Sequence, residues 1–469
     1  MFDSSIIPRL EEVVGKDRVL VRKTDMMTYS YDASFATQLE PKEPDVVVIP
    51  LSTEEVSQCT RLANEYKVPL YPRGAATGQT GGAVPIQGGI VMDLSKMNNI
   101  LEIDHRNLQV IIEPGVVQAD LNEALKAYQL FFPPDPGSAK MCTVGGMVSN
   151  NSSGLRAIKY GVTRQYVLGM EIVLPTGDVI VTGGQKSRAL KSVSGYDLAH
   201  LMIGSEGTLG IVTRLRLKVL PLPKTRGLVL CAFDNLEDAG EAVQLVYRSG
   251  IIPSAIEIMD KYAIRAANKM LPELNLHEGE ALLLFEVDGI KEVVSLQVKT
   301  ISDAVSQYTN FVQFSDDPVE CQNLWQARQV VGAAVGNLKP GGFRVYGGED
   351  ICVPFSRLPE ALRRIQEIAD SYNIICGIYG HVGDGNLHTA PVINMNNKTE
   401  IENAKKMIDD IHHLAIELEG TTTAEHGVGI VRAKYMDIEH GPAMELMRRI
   451  KKTVDPNNIL NPGKMALPI

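Results

Sequence analysis

The chain has 469 residues, a formal net charge of −10 and a hydrophobic share of 44%, which predict two or three domains of a soluble globular protein and argue against nucleic-acid binding as its main role. No apolar run approaches the roughly 20 residues that span a bilayer, so we expect no transmembrane segment. The six cysteines are scattered without a C-x-x-C motif, which predicts reduced thiols in a cytoplasmic protein and no iron–sulfur cluster held by this chain.

Short strands and helices alternate in the first half of the chain, which favours an α+β domain. Helical spacing of apolar residues predicts helices over 4–16, 52–66 and 118–128, and Ser52 or Thr53 is placed to cap the second of them. The predicted strands are 45–49, 68–71, 89–94, one or two within 100–115, a hairpin of 171–174 and 179–181 around the turn 175–178, and 209–220.

A proline-rich stretch at 221–224 is interpreted as a domain boundary, and a new alternation begins beyond it. This pattern predicts an antiparallel sheet with helices on one face. Gly250 and Gly420 stand where glycine commonly ends a helix. The predicted strands are 227–233, 281–287, 311–314 and one near 349–353, and the predicted helices are 236–249, 290–307, 318–336, 357–372 and 399–419.

A glycine-rich loop at 72–82 lies between two of the predicted strands. Glycine lets the backbone approach a ligand closely, with N–H groups free to face phosphate oxygens, and Arg73 would add a charge-assisted contact. The spacing is neither G-x-G-x-x-G nor a P-loop, because no Gly-Lys-Ser/Thr follows. From these residues alone, a tight surface turn is as good an interpretation as a phosphate site.

Two further stretches rich in Gly, Ser and Thr follow, at 133–154 with 160–163, and at 204–213. Together with the first loop they resemble the FAD-binding segments of the PCMH-type, or vanillyl-alcohol-oxidase, family of flavoproteins, over roughly residues 40 to 220. This resemblance implies FAD in a long cleft. The residues it implies for the cofactor are Pro72, Arg73, Gly74, Ala75, Thr77, Gly78, Gly81, Gly82, Pro136, Ser138, Thr143, Gly146, Ser149, Asn151, Gly154, Tyr160, Gly161, Thr163, Glu206, Ile211 and Asn461.

The same resemblance bears on how the flavin is held. Covalent members of the family commonly bond the flavin through a histidine of the first loop, whereas this loop offers Thr77 and no histidine. We therefore expect non-covalent FAD. No nicotinamide fingerprint accompanies these motifs, so we do not expect NAD to bind.

The most informative stretch for the reaction is 381–388, which contains two of only nine histidines. Asp384-Gly385 favours a type I′ hairpin turn, which would pair His381 directly with His388. Opposed side chains have Cβ atoms about 4.5–5.5 Å apart, so both imidazoles could reach one metal ion at about 2.0–2.1 Å. Two histidines that cap the polar ends of a buried hairpin are an equally good interpretation of this pattern.

A second polar stretch, 421–429, contains Glu425 and His426 between threonines and glycines. Neighbouring side chains of an extended segment point opposite ways, so one of the two could complete a metal site while the other faces substrate. Taken alone, a helix-to-loop junction with two solvated polar residues is the safer interpretation.

Both stretches resemble the metal-dependent branch of the flavin family, the D-lactate, glycolate and D-2-hydroxyglutarate dehydrogenases, and the tail at 455–464 is similar as well. The resemblance implies that His381, His388 and Glu425 bind a divalent metal and that His426 is the catalytic base. Arg328 matches an arginine that grips a substrate carboxylate, although a surface salt bridge is an equal alternative. Zinc, iron and manganese all suit these ligands.

The resemblance also implies the domain organisation and the activity. It implies a PCMH-type FAD-binding domain over 1–220, a substrate or cap domain over 221–420, and a short helical C-terminal segment over 421–469 that completes the active site. The implied activity is oxidation of a short D-2-hydroxy acid, with D-lactate as the first choice. Electrons would pass to an electron-transfer flavoprotein, an iron–sulfur subunit or a quinone.

Four alternatives stay open at this point. The substrate could be glycolate or D-2-hydroxyglutarate, and the chain could instead be a metal-free oxidase or a non-enzymatic relay subunit of the same fold. Family members that act on dicarboxylates carry a basic residue just before an aspartate, where this chain reads Gly347-Gly348-Glu349-Asp350. Its absence favours a monocarboxylate, with Arg344 as the residue that could replace it.

Overall fold

The computed structural model describes residues 2–345 and 350–468. The chain forms two compact units. The first comprises Met1–Ser153, Val162–Leu222 and Glu425–Ile469, and the second comprises Gly154–Gly161 and Pro223–Ala424. Two separate segments of the chain therefore form the second unit, and the last segment of the first unit begins at Glu425.

The strands are short in the first unit and longer in the second. Their bounds are β1 Val19–Leu20, β2 Val46–Val48, β3 Leu70–Arg73, β4 Ile90–Asp93, β5 Ile100–Asp104, β6 Gln109–Ile112, β7 Leu130–Phe131, β8 Val167–Val173, β9 Val179–Val181, β10 Ile211–Lys218, β11 Leu220–Pro221, β12 Thr225–Phe233, β13 Ala255–Asp260, β14 Ala281–Gly289, β15 Phe311–Ser315, β16 Gly342–Arg344, β17 Ile351–Cys352, β18 Ile375–Gly380 and β19 Asn386–Asn394.

The helices alternate with these strands in both units. Their bounds are α1 Ile6–Val14, α2 Lys23–Met26, α3 Phe35–Leu39, α4 Thr53–Tyr66, α5 Gln118–Lys126, α6 Val144–Asn150, α7 Ala157–Tyr160, α8 Leu198–Met202, α9 Leu236–Arg248, α10 Lys261–Met270, α11 Lys291–Val305, α12 Pro318–Ala334, α13 Leu358–Ser371, α14 Lys398–Glu417, α15 Met436–His440 and α16 Ala443–Val454.

The first unit contains two main sheets. One has the order β1-β2-β4-β3, with β4 parallel to both of its neighbours, and the other is an antiparallel sheet with the order β5-β6-β10-β8-β9. Helix α4 begins as the sequence predicts, because the Ser52 side chain accepts a hydrogen bond from the backbone N–H of Glu55. The predicted hairpin is also confirmed, with Ile172 opposite Ile180.

The second unit is built on an antiparallel sheet with the order β15-β12-β14-β13-β18-β19-β16, and β17 also pairs with β19. Helix α11 packs on one face of β12, where a Cβ at Gly227 would lie 2.6 Å from Val298. The alternate residues of β12, Leu228 and Leu230, instead share a core with Trp325 of α12 and with α10. Helices therefore cover both faces, and the prediction of helices on one face is incomplete.

The mixed helices and antiparallel sheets confirm the α+β fold class, although several elements were not predicted from the sequence. Strand β13, helix α10 and helix α16 were all missed. The predicted strand near 349–353 is observed as Ile351–Cys352, and residue 349 lies outside the described residues. Within the described ranges, no helix is long and apolar enough to cross a membrane.

Candidate active site

The glycine-rich loop of the first unit follows β3 and presents unused backbone donors. Among the described residues, no hydrogen bond is donated by the backbone N–H groups of residues 75–80. Gly81 ends this run, since its N–H donates to the buried Asp32 carboxylate at 2.7 Å. Consecutive N–H groups without partners form an anion-binding concavity, which suits the phosphates of a dinucleotide.

The buried Arg73 side chain donates hydrogen bonds to backbone carbonyls of the protein. Its guanidinium is buried and donates to the backbone carbonyls of Thr28 at 3.0 Å and Tyr31 at 3.0 Å. The side chain also lies over the Tyr29 ring. The guanidinium therefore links β3 to the segment at 28–31, and it also donates to the carbonyl of Ala83 at 3.5 Å. The assignment of Arg73 to the cofactor site stays a prediction.

Close backbone approaches explain two glycines of these motifs. A Cβ at Gly74 would lie 2.3 Å from Thr143 Oγ1, in the second motif, and a Cβ at Gly207 would lie 2.6 Å from Pro72. Thr143 in turn caps α6 by accepting from the N–H of Gly146. The three motifs therefore pack against one another within the first unit.

The C-terminal tail holds the loop from a third side. The Asn461 side chain donates to the carbonyls of Gly82 at 3.0 Å and Glu206 at 2.6 Å. Lys464 donates to the carbonyls of Gly81 at 2.7 Å and Val84 at 2.6 Å. Burial lowers the pKa of the Lys464 ammonium to about 7, while burial raises the pKa of the Glu206 carboxyl.

These observations test whether FAD fits the first unit. In the described part of the chain, Gln79 Oε1 and Asn461 Oδ1 are buried and have no hydrogen-bond partner. A Cβ at Gly78 would meet nothing within 4 Å. Unused donors, unused acceptors and an open glycine lie together, so the residues fit the cofactor. The sequence missed Asp32 and Lys464, since no local motif points to either.

The remaining residues assigned to the cofactor divide between the two units. Asn151 ends α6 with a φ of +56°, and the backbone N–H of Glu206 donates to Ser149 O at 2.8 Å. Tyr160 donates to Asp288 in the second unit, and burial raises the pKa of its phenol. The first unit also contains Ala75, Thr77, Pro136, Ser138, Thr163 and Ile211, and the second contains Gly154 and Gly161.

In the second unit, the histidine stretch is not the two-residue hairpin that the sequence predicts. Strands β18 and β19 pair with Tyr379 opposite His388, and a 3₁₀ turn over Val382–Asp384 leads into Gly385 at a φ of +86°. A type I′ turn needs positive φ at both central residues, and Asp384 lacks it among the described residues. The predicted register was wrong.

The two imidazoles nevertheless meet. Nε2 of His388 lies 3.4 Å from Nε2 of His381, and the rings are perpendicular at 89°. Both side chains are buried, with 5% and 8% of their surface exposed. The longer turn moves His381 out of the strand ladder but returns its ring to the same side.

Two buried residues that the sequence pattern did not reveal, Glu257 and Tyr379, surround this pair. Glu257 Oε1 lies 2.6 Å from His381 Nδ1, and Glu257 Oε2 accepts from Arg328 Nε at 2.6 Å. The Arg328 guanidinium lies over the Tyr379 ring, 4.8 Å from its centre. Arg328 is only 8% exposed, so it is not the surface salt bridge that was the alternative.

A second buried carboxylate, Asp350, follows the residues that the structure leaves undescribed. It accepts from Asn386 at 3.0 Å, from Thr423 Oγ1 at 2.8 Å and from the N–H of Ala424 at 3.1 Å. Its φ of +132° is one that residues with a side chain rarely adopt. This network orders the end of the second unit next to the Glu425 position.

In the first unit, Glu425 and His426 are held by the end of α6. Ser153 Oγ donates to Glu425 Oε2 at 2.9 Å, and Asn150 Nδ2 donates to the carbonyl of His426 at 2.8 Å. His426 Nε2 lies 3.6 Å from Glu425 Oε1, so the two side chains lie close together. The expectation of opposite directions was wrong because the segment bends here instead of extending. Gly427 is required, since a Cβ there would lie 2.2 Å from Asn150 Oδ1.

Comparison with protein families agrees with this geometry. Residues 44–183 match the family model described as FAD binding domain, and residues 222–465 match the model described as FAD linked oxidases, C-terminal domain. The chain belongs to the FAD-linked oxidases. It is an FAD-linked oxidoreductase, and the boundary between the two matches lies in the stretch that separates the two units.

Relatives of this FAD-linked oxidase align along nearly its whole length. It is 38% identical to the glycolate oxidase subunit GlcD of Bacillus subtilis, over 99% of this chain and 97% of that protein. It is 37% identical to a D-lactate dehydrogenase of Anaerostipes hadrus, over 98% and 97%. A D-lactate dehydrogenase of Archaeoglobus fulgidus is also 37% identical, over 90% and 91%.

Solved structures show the same fold. A 4-ethylphenol oxidase from Gulosibacter chungangensis superposes with a TM-score of 0.82 at 22% identity, over 99% of this chain and 97% of that one. p-Cresol methylhydroxylase gives a TM-score of 0.82 at 18% identity, with the same coverage. The PCMH-type fold expected from the sequence is confirmed.

Proposed function

We propose that this FAD-linked oxidase is a metal-dependent dehydrogenase that oxidises D-lactate to the 2-oxo acid. The observation that carries the proposal is the 3.4 Å separation of the two Nε2 atoms of His381 and His388. Two nitrogens that each lie about 2.0–2.1 Å from one ion at a tetrahedral angle are about 3.3–3.4 Å apart. A hydrogen bond between the two rings gives the same spacing, so the chelation experiment below decides between it and a metal.

We assign His381, His388 and Glu425 to one divalent metal, with zinc, iron and manganese as the candidates. When bound, such a metal supplies a positive charge that lowers the pKa of the substrate hydroxyl. FAD, held without a covalent bond by the loops of the first unit, supplies the acceptor for hydride from the substrate carbon.

The chain's own side chains bind and orient the substrate. Arg328 donates through Nε to Glu257, and in the described part of the chain no hydrogen bond uses its two terminal nitrogens, which leaves them for a substrate carboxylate. His426 is about one-fifth exposed, with 18% of its side chain accessible, so it can receive a proton and release it to water. We assign it the role of general base for the hydroxyl.

Electrons must then leave the flavin. We propose a partner protein, either an electron-transfer flavoprotein or an iron–sulfur subunit, or a quinone as the acceptor. The relatives support a dedicated acceptor, since one of them is described as a subunit and another, from Arabidopsis thaliana, as D-lactate dehydrogenase [cytochrome].

One experiment tests the reaction directly. The purified, FAD-loaded protein is mixed anaerobically with D-lactate, and loss of flavin absorbance is followed with and without prior removal of metal by a chelator. We expect reduction by D-lactate that disappears on chelation and returns with added Mn²⁺ or Zn²⁺. Full reduction after chelation would contradict the metal role, and no reduction by any D-2-hydroxy acid would contradict the activity.

Glycolate is the second candidate substrate, because the relative at 38% identity is a glycolate oxidase subunit. Glycolate lacks the methyl group of lactate, which is worth only about 1–3 kcal/mol of discrimination in an apolar pocket. The same anaerobic mixing with glycolate ranks the two. A faster reduction by glycolate would replace D-lactate in the proposal.

A further inference from the structure

The carboxylate of Glu257 contacts two residues to which the proposed function gives roles, and no part of that function uses it. We infer that Glu257 is a positioning residue that fixes the tautomer of His381 through one oxygen and the direction of Arg328 through the other. The inference rests on the proposed function, because it concerns the metal ligand and the carboxylate-binding arginine that the function assigns.

Strand register places Glu257 beside His381. In the pairing of β13 with β18, Ile258 is opposite Gly380 and Met259 is opposite Tyr379, so the next position along brings Glu257 to residue 381. Its side chain lies on the sheet face that carries α12, because Ala255 and Met259 of the same face share a core with that helix. The contacts with His381 and Arg328 therefore follow from sheet geometry. They join Glu257 to residues that lie 124 and 71 positions away in the sequence.

A carboxylate in this position needs both contacts. Glu257 is 1% exposed, and a buried carboxylate is costly unless it is paired and hydrogen-bonded. Arginine only donates, so Nε–H of Arg328 occupies Oε2. Oε1 is an acceptor as well, so the ring nitrogen 2.6 Å away, Nδ1 of His381, must carry a hydrogen.

This proton position decides what the other ring nitrogen can do. With a hydrogen on Nδ1, neutral His381 has its lone pair on Nε2, the atom that faces His388 at 3.4 Å. Metal-binding histidines usually donate their second N–H to such a carboxylate, which fixes the tautomer and raises the basicity of the ligand nitrogen.

The same carboxylate orients Arg328. A guanidinium bonded at Nε and packed over the Tyr379 ring has its planar fork fixed, which reduces the entropy lost when its terminal nitrogens bind a carboxylate. Glu257 thereby connects the metal ligand and the substrate anchor through two hydrogen bonds. Its loss should affect both metal affinity and the KM of the substrate.

Glu257→Gln tests this connection with little change in shape. An amide offers one acceptor oxygen and one NH₂ donor, so it cannot accept from both Arg328 and His381. If the NH₂ group faces His381, Nδ1 must become the acceptor and the hydrogen moves to Nε2. Nε2 then has no lone pair with which to bind the metal. We expect metal affinity to fall about 10–100-fold and the KM for D-lactate to rise, with FAD still bound.

Glu286→Gln is the matched control. Glu286 lies on the adjacent strand β14, is fully buried, and binds Arg156 at 2.7 Å and the Trp325 indole at 2.8 Å. It has no contact with His381 or Arg328 among the described residues. The control therefore removes an equally buried carboxylate from the same sheet, and its metal affinity and KM should match wild type.

The measurement is a titration of the metal-stripped, FAD-loaded enzyme with Mn²⁺, Zn²⁺ and Fe²⁺ in separate experiments, followed by kcat and KM for each variant. If wild type binds none of the three metals, the proposed function fails. If wild type binds metal and Glu257→Gln binds it equally well, this inference fails while the proposed function survives. Equal losses in both glutamine variants would also overturn the inference, since they would indicate a structural role.

A second measurement needs no glutamate variant. In the metal-free, FAD-loaded wild type, ¹⁵N-histidine NMR distinguishes the two neutral tautomers, and a His381→Asn sample assigns the signal. We expect His381 to carry its hydrogen on Nδ1. A hydrogen on Nε2 would overturn the inference even if Glu257→Gln did not fold.

Discussion

The loops of the first unit and the histidine pair of the second unit present different chemical groups to their ligands. The loops present backbone, with unused N–H groups over 75–80 and close approaches at Gly74 and Gly207. The histidine pair presents side chains, and the buried Glu257, which contacts His381 and is ion-paired with Arg328, helps to hold it in place. A backbone site is encoded by local glycine spacing, whereas a buried charged site depends on partners from distant strands.

The first prediction concerns the backbone site. Because the loop at 72–82 contains no histidine that could bond the flavin, denaturation of the holoprotein should release all of the flavin into the supernatant. Absorbance of the precipitate and the supernatant after acid treatment checks this. Flavin that stays with the precipitated chain would contradict non-covalent binding.

Removal of one histidine of the pair should leave FAD binding unchanged. His388→Ala should abolish turnover and lower the metal content while FAD stays bound, because His388 and the FAD-binding loop at 72–82 belong to different units. Metal analysis, flavin content and D-lactate turnover are the measurements. His413→Ala, an exposed histidine on α14, is the control and should behave as wild type.

A wild-type metal content and rate in His388→Ala would remove the pair from the metal site. Loss of FAD together with the metal would also contradict this prediction.

The general base should matter less than the metal ligands. His426→Ala should retain flavin and metal and slow flavin reduction by about 10²-fold or more, the usual effect of a placed base. Anaerobic stopped-flow with D-lactate measures the rate, and added external base should restore part of it. His200→Ala, an exposed histidine of the same unit, serves as control. An unchanged rate in His426→Ala would exclude it from the mechanism.

Substrate size should produce a smaller effect. We predict that kcat/KM for D-lactate exceeds that for D-2-hydroxyglutarate by at least about tenfold, equivalent to ~1.4 kcal/mol. The second carboxylate would lose its hydration without a partner. The stretch 347–349, on which the prediction rests, lies outside the described residues.

Arg344 is the residue that could reverse this preference. Its guanidinium lies over the Tyr379 ring, as that of Arg328 does, and donates to the carbonyl of Gly332 at 2.8 Å. Equal efficiency on the two acids in wild type would contradict the prediction. Arg344→Met would then identify the cause if it lowered kcat/KM for D-2-hydroxyglutarate alone.

The last prediction concerns the pH dependence of stability that Lys464, which donates to a carbonyl of the glycine-rich loop, should produce. Burial lowers the pKa of Lys464 to about 7 from 10.5, so between these values the unfolded chain binds a proton that the folded chain does not. Stability should therefore rise with pH across this window, by at most about 1.4 kcal/mol per pH unit from this group.

Urea unfolding of the first unit, followed at pH 7 and pH 9, measures this slope. Lys464→Met should reduce it, whereas Lys126→Met, an exposed lysine of the same unit, should not. Equal slopes in Lys464→Met and wild type would contradict the lowered pKa.

Local rules predicted a large part of this protein from its sequence. The Ser52 cap and the hairpin around residues 175–178 depend on contacts between near neighbours, and both are confirmed. The α+β fold class, which is also confirmed, was predicted from the local alternation of strand and helix patterns. The glycine motifs are also local, which explains how they could indicate the FAD-binding family. The histidines at 381 and 388 were likewise visible as a pair because they lie only seven positions apart in the chain.

Tertiary structure alone decided how those residues are held. The 3₁₀ turn at Val382–Asp384 replaced the predicted two-residue turn, and Arg73 donates to carbonyls that lie 42 and 45 residues earlier in the chain. Glu257 reaches His381 only because β13 and β18 are neighbours in the sheet. A buried charge is costly unless it is paired, and its partner is supplied by whichever strand or helix the fold places beside it. The spacing of residues in the sequence does not indicate which strands become neighbours.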